Sequence, residues 1–125
     1  MRRKIGTAAL PLLALAAAGC DGGPLGTVCT SEARPALAVT VRDAAGGGAV
    51  PGALVVARSG TYADTVRGGV IVTSGAVYSL AHERAGTYTV RVVADGYRAW
   101  EQAGVRVTAD ECHVRTVALT AELAR

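Results

Sequence analysis

The sequence predicts an all-β domain: a single antiparallel β-sandwich of about seven short strands. Three observations predict it. From Pro35 onward apolar residues recur with a period of two, the pattern of strands that bury one face. Gly, Pro and Asp punctuate that pattern about every 8–12 residues, the spacing of sandwich turns. No stretch after residue 20 has a helical period, and 125 residues leave room for one domain only.

Residues 1–19 read as a signal peptide. Arg2-Arg3-Lys4 is a basic start, followed by an apolar run from Ile5 to Ala18. Fourteen residues at ~1.5 Å each span ~21 Å as a helix, well short of a ~30 Å hydrocarbon core, which favours an export signal over a permanent span. Ala17-Ala18-Gly19-Cys20 resembles a bacterial lipobox, with Ala17 where the commonest form has Leu. The resemblance implies cleavage before Cys20 and lipid on its thiol. An ordinary secretory signal cut near Ala18, with Cys20 left free, is the alternative. Stable anchoring needs two or more acyl chains, at ~0.8 kcal/mol per buried methylene. The expected localisation is therefore exported and membrane-anchored, on the periplasmic or cell-surface side.

Residues 20–34 carry the lipid site and a flexible tether, since Asp21-Gly22-Gly23-Pro24-Leu25-Gly26 is too glycine-rich to pack. With Cys20 lipidated, Cys29 and Cys112 remain, and an oxidising compartment pairs them. If the first and last strands run side by side in one direction, their starts meet and the arm before Pro35 reaches back to Cys112, covering an edge strand. Asp110-Glu111-Cys112-His113 also puts four metal-ligand types in a row. As the start of a strand they alternate between faces and do not converge, so no metal is expected.

Residues 35–120 hold the strands. Leu37, Val39 and Val41 share a face, then Ala53, Val55 and Ala57. Tyr62–Arg67 and Val70–Thr73 form a weaker pair around Gly68-Gly69. Tyr78 and Leu80 share a face, as do Tyr88, Val90 and Val92, and then Val105 and Val107. The last strand is expected over Cys112–Leu119 with a bulge near Thr116. Residues 121–125 are expected to be a frayed tail.

In order, the markers are Val39-x-Val41-x-Asp43, Val50-Pro51-Gly52-Ala53-x-Val55, Tyr78-x-Leu80, Gly86-x-Tyr88-x-Val90-x-Val92 and Gly96-Tyr97. Over roughly residues 35–120 this resembles the carboxypeptidase regulatory-like domain, a small transthyretin-like or immunoglobulin-like β-sandwich. Such domains usually carry Thr-Asp-x-x-Gly before the Tyr-x-Leu strand. Here Val72–Val77 lacks the aspartate. The resemblance implies Pro51-Gly52 as the turn of the first hairpin and Tyr88 in the core. It implies no catalysis, because such modules accompany a separate catalytic domain.

Chemical motifs are sparse. His82-Glu83 opens like His-Glu-x-x-His, but residue 86 is Gly. There is no Gly-x-Ser-x-Gly, and Gly46-Gly47-Gly48 lacks the Lys of a phosphate loop. No catalytic residue, metal or cofactor is expected, and the chain is expected not to be an enzyme. Beyond Arg2-Arg3-Lys4 the chain has ten positive and ten negative residues, and no clustered surplus suited to nucleic acid. The expected function is a membrane-anchored structural or protein-contact module of the cell envelope, with an envelope protein or glycan as partner. The alternative is a carbohydrate- or peptide-binding module in which Tyr97, Arg98 and Trp100 form an aromatic platform. Capping of one end of the sandwich is the plainer role for Trp100.

Overall fold

A computed structural model describes residues 26–125. The leader at 1–19, Cys20 and residues 21–25 of the tether lie outside the described residues. Eight strands form two facing four-stranded sheets. They are β1 (Leu37–Asp43), β2 (Leu54–Ser59), β3 (Tyr62–Arg67), β4 (Val70–Val72), β5 (Gly75–Leu80), β6 (Gly86–Val93), β7 (Trp100–Val107) and β8 (Val117–Leu123). The sheet orders are β4-β5-β1-β8 and β3-β2-β6-β7. Among the described residues no helix is long and apolar enough to cross a membrane.

The inward sets anticipated by the alternation are all buried, from Leu37, Val39 and Val41 to Val105 and Val107. Each fully buried Val or Leu stabilises by roughly 1.5–3 kcal/mol. Phe is absent, so Tyr78 and Tyr88 are the largest buried side chains, and each hydroxyl finds a partner. The Tyr78 hydroxyl accepts the Ala53 N–H at 3.0 Å and donates to the Val50 carbonyl at 2.9 Å. The Tyr88 hydroxyl donates to the Arg84 carbonyl at 2.7 Å and pins the loop before β6. The Tyr78 ring fills the space a side chain at residue 69 would need, since a Cβ on Gly69 would lie 2.6 Å from it. Only glycine lets the chain cross there.

Several expectations are corrected. Among the described residues the strands number eight; β1 and β8 run side by side in one direction, as the reach of the arm to Cys112 required, and every other strand pair is antiparallel. β1 and β2 do not form a hairpin, because they lie in different sheets; the chain turns back tightly at 43–48 to bridge Ala49 with Arg42, and Pro51-Gly52 turns within the crossover that follows. β3 and β4 are likewise in different sheets, and Gly68-Gly69 carries the chain between them. The last strand begins at Val117, not Cys112. The broken alternation before it marks a turn, not a bulge. Asp110 accepts the Cys112 and His113 N–H groups and donates its own N–H to the His113 carbonyl. The C-terminus is no frayed tail: Ala121 and Leu123 are buried and pair with Val41 and Asp43.

β1 and β8 start at one end of the sandwich, beside the loops at 81–85 and 108–116. They finish at the other, beside the loops at 44–53 and 94–99. These two poles hold the polar clusters.

Candidate functional site

At the pole where β1 starts, Cys29 and Cys112 form a disulfide with their Cα atoms 5.2 Å apart, closing 83 residues of sequence. The parallel β1–β8 pairing brings the two segments together. The arm bears on the loop that precedes β8 and not on an edge strand, which differs from the expectation. Thr27 donates to the Glu111 carboxylate at 2.7 Å, and Thr116 donates to the Pro35 carbonyl at 2.6 Å.

His113 lies at the centre of this pole, only 8% exposed. Its Nδ1 is 2.7 Å from Glu83 Oε1, and its Nε2 is 2.9 Å from the Thr30 hydroxyl. A carboxylate only accepts, so Nδ1 carries the proton and, in the neutral ring, Nε2 accepts from Thr30. Glu83 also accepts the Arg34 N–H at 2.7 Å and the Val114 N–H at 3.3 Å. The Arg34 amide is the main reason its carboxyl sits below the ordinary 4.5. Asp110 is likewise lowered, first by the His113 N–H and then by that of Cys112.

A hydroxyl, an imidazole and a carboxylate in this order also make a nucleophile-activating relay. In this fold one carboxylate, Glu83, also gathers the arm, the 81–85 loop and the loop before β8. Nothing in the local sequence marks Thr30 or Glu83 as a partner of His113. They lie 83 and 30 residues from it, and only the topology brings them close. A cavity of about 380 Å³ opens here, lined by the disulfide with Thr30, Arg34, Asp110, Glu111 and His113. Asp110-Glu111-Cys112-His113 occupies a turn, so strand alternation is not what separates its side chains. Among the described residues no group of three or more His, Cys, Asp or Glu is placed to hold a metal.

The opposite pole gathers around Asp43. Its carboxylate accepts the Tyr97 hydroxyl at 2.7 Å and the Ala45 and Gly46 N–H groups at 2.8 and 3.3 Å. These bonds, Tyr97's first, hold its carboxyl at about 2. The Arg125 guanidinium lies 4.9 Å from the Tyr97 ring centre and 3.3 Å from Asp43. The Arg98 N–H donates to the Ala124 carbonyl at 2.7 Å. Tyr97 and Trp100 are half-buried against the core, and the Arg98 side chain is exposed. The three residues of the expected platform are therefore near one another in sequence but play different parts. Tyr97 closes a hydrogen-bonded cluster, Trp100 caps the core and Arg98 points to solvent.

Compared with known protein families, with curated proteins and with solved structures, the chain matches none.

Proposed function

We propose that the protein is a non-catalytic, membrane-anchored lipoprotein. Its sandwich, of the carboxypeptidase regulatory-like type, serves as a structural or protein-contact module in the cell envelope. The observation that carries this reading is the covalent capture of the N-terminal arm by Cys112. Cys20 and Cys29 are nine residues apart, a reach of at most ~30 Å when extended. A lipid on Cys20 would therefore hold the domain within about its own length of the membrane. The disulfide supports export, because such bonds persist in oxidising compartments. Supporting a contact role, the short edge strand β4 leaves Val70 and Ile71 71% and 66% exposed.

Two measurements test it. Mass spectrometry of the mature N-terminus is expected to find a diacylglyceryl-modified Cys20; a chain starting elsewhere with a free thiol refutes the anchor. Crosslinking in the native envelope is expected to capture a defined protein neighbour. Capture of glycan alone, lost in Trp100→Ala, would favour the binding-module reading instead.

A further inference from the structure

The outer faces of the two sheets differ in charge. On the first sheet, β1 and β8 turn Ala38, Thr40, Ala118 and Thr120 outward, and the cation there, Arg42, is paired with Glu122. On the second sheet every strand turns an exposed arginine outward: Arg67 on β3, Arg58 on β2, Arg91 on β6 and Arg106 on β7. Arg91 pairs with Glu101 at 3.3 Å. Arg58, Arg67 and Arg106 have no ion-pair partner among the described residues. Beyond Arg2-Arg3-Lys4 the chain balances ten positive against ten negative residues, so this face is a local polarisation and not overall basicity.

We propose that the outer face of β3-β2-β6-β7 docks on an anionic lipid surface. The face is four strands wide, roughly 15 Å by 20 Å. Guanidinium groups suit phosphate headgroups because they bond them in a planar, bidentate way. Between the arginines lie half-buried Leu54 and Val56 and exposed Val93, which fit the boundary beneath the headgroups. A polyanionic glycan would pair with the same arginines but leave the apolar Leu54, Val56 and Val93 between them without a partner, whereas a lipid surface takes both. The proposal rests on the lipoprotein reading only in that the anchor supplies a nearby membrane. With this face on the lipid, the face of the other sheet, whose Arg42 and Glu122 pair with each other, would turn toward the compartment.

The test uses the mature protein, purified from the membrane and reconstituted into vesicles of phosphatidylcholine alone or mixed with phosphatidylglycerol. Arginines are modified with phenylglyoxal and mapped by peptide mass. Arg58, Arg67 and Arg106 are expected to react about fivefold or more slowly on the anionic vesicles, the gain of one cation at a charged surface. Arg34, Arg98 and Arg115 are expected to be unchanged. The difference is expected to vanish in about 1 M salt, where screening acts within ~3 Å. Equal reactivity on both vesicles, uniform slowing of every arginine, or protection by soluble heparin and not by vesicles would each overturn the proposal. The mass of Cys20 on the same sample reports the anchor separately. If that thiol is free, co-sedimentation with the same vesicles decides the face by itself: pelleting with the anionic ones supports it, and no pelleting overturns it.

Discussion

The two ends of this sandwich are closed by different chemistry. At the pole where β1 starts, a disulfide joins the arm to the loop before β8, and His113, Glu83 and Thr30 reinforce it from below. At the opposite pole hydrogen bonds and the Arg125–Asp43 ion pair close the fold. Asp43 gathers Tyr97, Arg125 and its own loop, and Tyr78 holds the 50–53 turn. A covalent bond across 83 residues restricts the unfolded chain almost throughout, an effect of about 4.5 kcal/mol in the chain-entropy view. The hydrogen bonds at the other pole act only in the folded state, at about 1 kcal/mol each. The difference teaches that two ends of one core can be secured by different means, one acting on the unfolded chain and the other only on the folded one.

The largest effect is expected from removing the staple. Cys29→Ser/Cys112→Ser should cost about 2–4 kcal/mol and lower the melting temperature by roughly 10–25 °C. Calorimetry of both proteins checks it, and an unchanged melt would erase the contrast between the poles. Next is Tyr78→Phe, which strips a buried N–H and a buried carbonyl of their shared partner. A loss of about 2–3 kcal/mol in urea unfolding is expected.

His113→Ala sharpens the comparison without touching the covalent bond. The arm loses its Thr30 contact and Glu83 loses its imidazole. Amide exchange should therefore quicken at 30–34 and 83–84, with the 94–99 loop unaffected. Equal acceleration at both poles would mean that His113 supports the whole domain, not one end.

The smallest effect concerns Asp43. Its carboxyl is held at about 2, below the ordinary 3.8. A depressed carboxylate stabilises the fold fully above pH 3.8, and that contribution is lost as pH falls toward 2. Asp43→Asn lacks it throughout. Melting temperatures of the two proteins should differ at neutral pH and converge below pH 2, and a constant gap would contradict the assignment.

Much of the fold was legible because alternation reports burial directly. Leu37, Val39 and Val41, or Tyr88, Val90 and Val92, can be assigned to the core by period alone. Which sheet a strand joins was not legible. Pro51-Gly52 and Gly68-Gly69 signal turns equally well in a hairpin or in a crossover, and local sequence does not distinguish them. The segment before β8 misled for a related reason. Val114 and Val117 are apolar like strand residues, while the Asp110 side chain folds the backbone into a turn. Of the site, the cysteine pair was legible by elimination. The His113–Glu83–Thr30 cluster was not, because its members lie 83 and 30 residues apart and no local pattern marks them as partners.

The claim that one pole is covalently closed is tested most directly by thiol counting on the protein isolated from its native cells, denatured with and without reductant. Without reductant, Cys29 and Cys112 are expected to be inert to alkylation. With it, both are expected to label, with a mass gain of two hydrogens before labelling. Labelling of both cysteines in the unreduced sample would show that the arm is held only by the hydrogen bonds around His113, and would contradict the account.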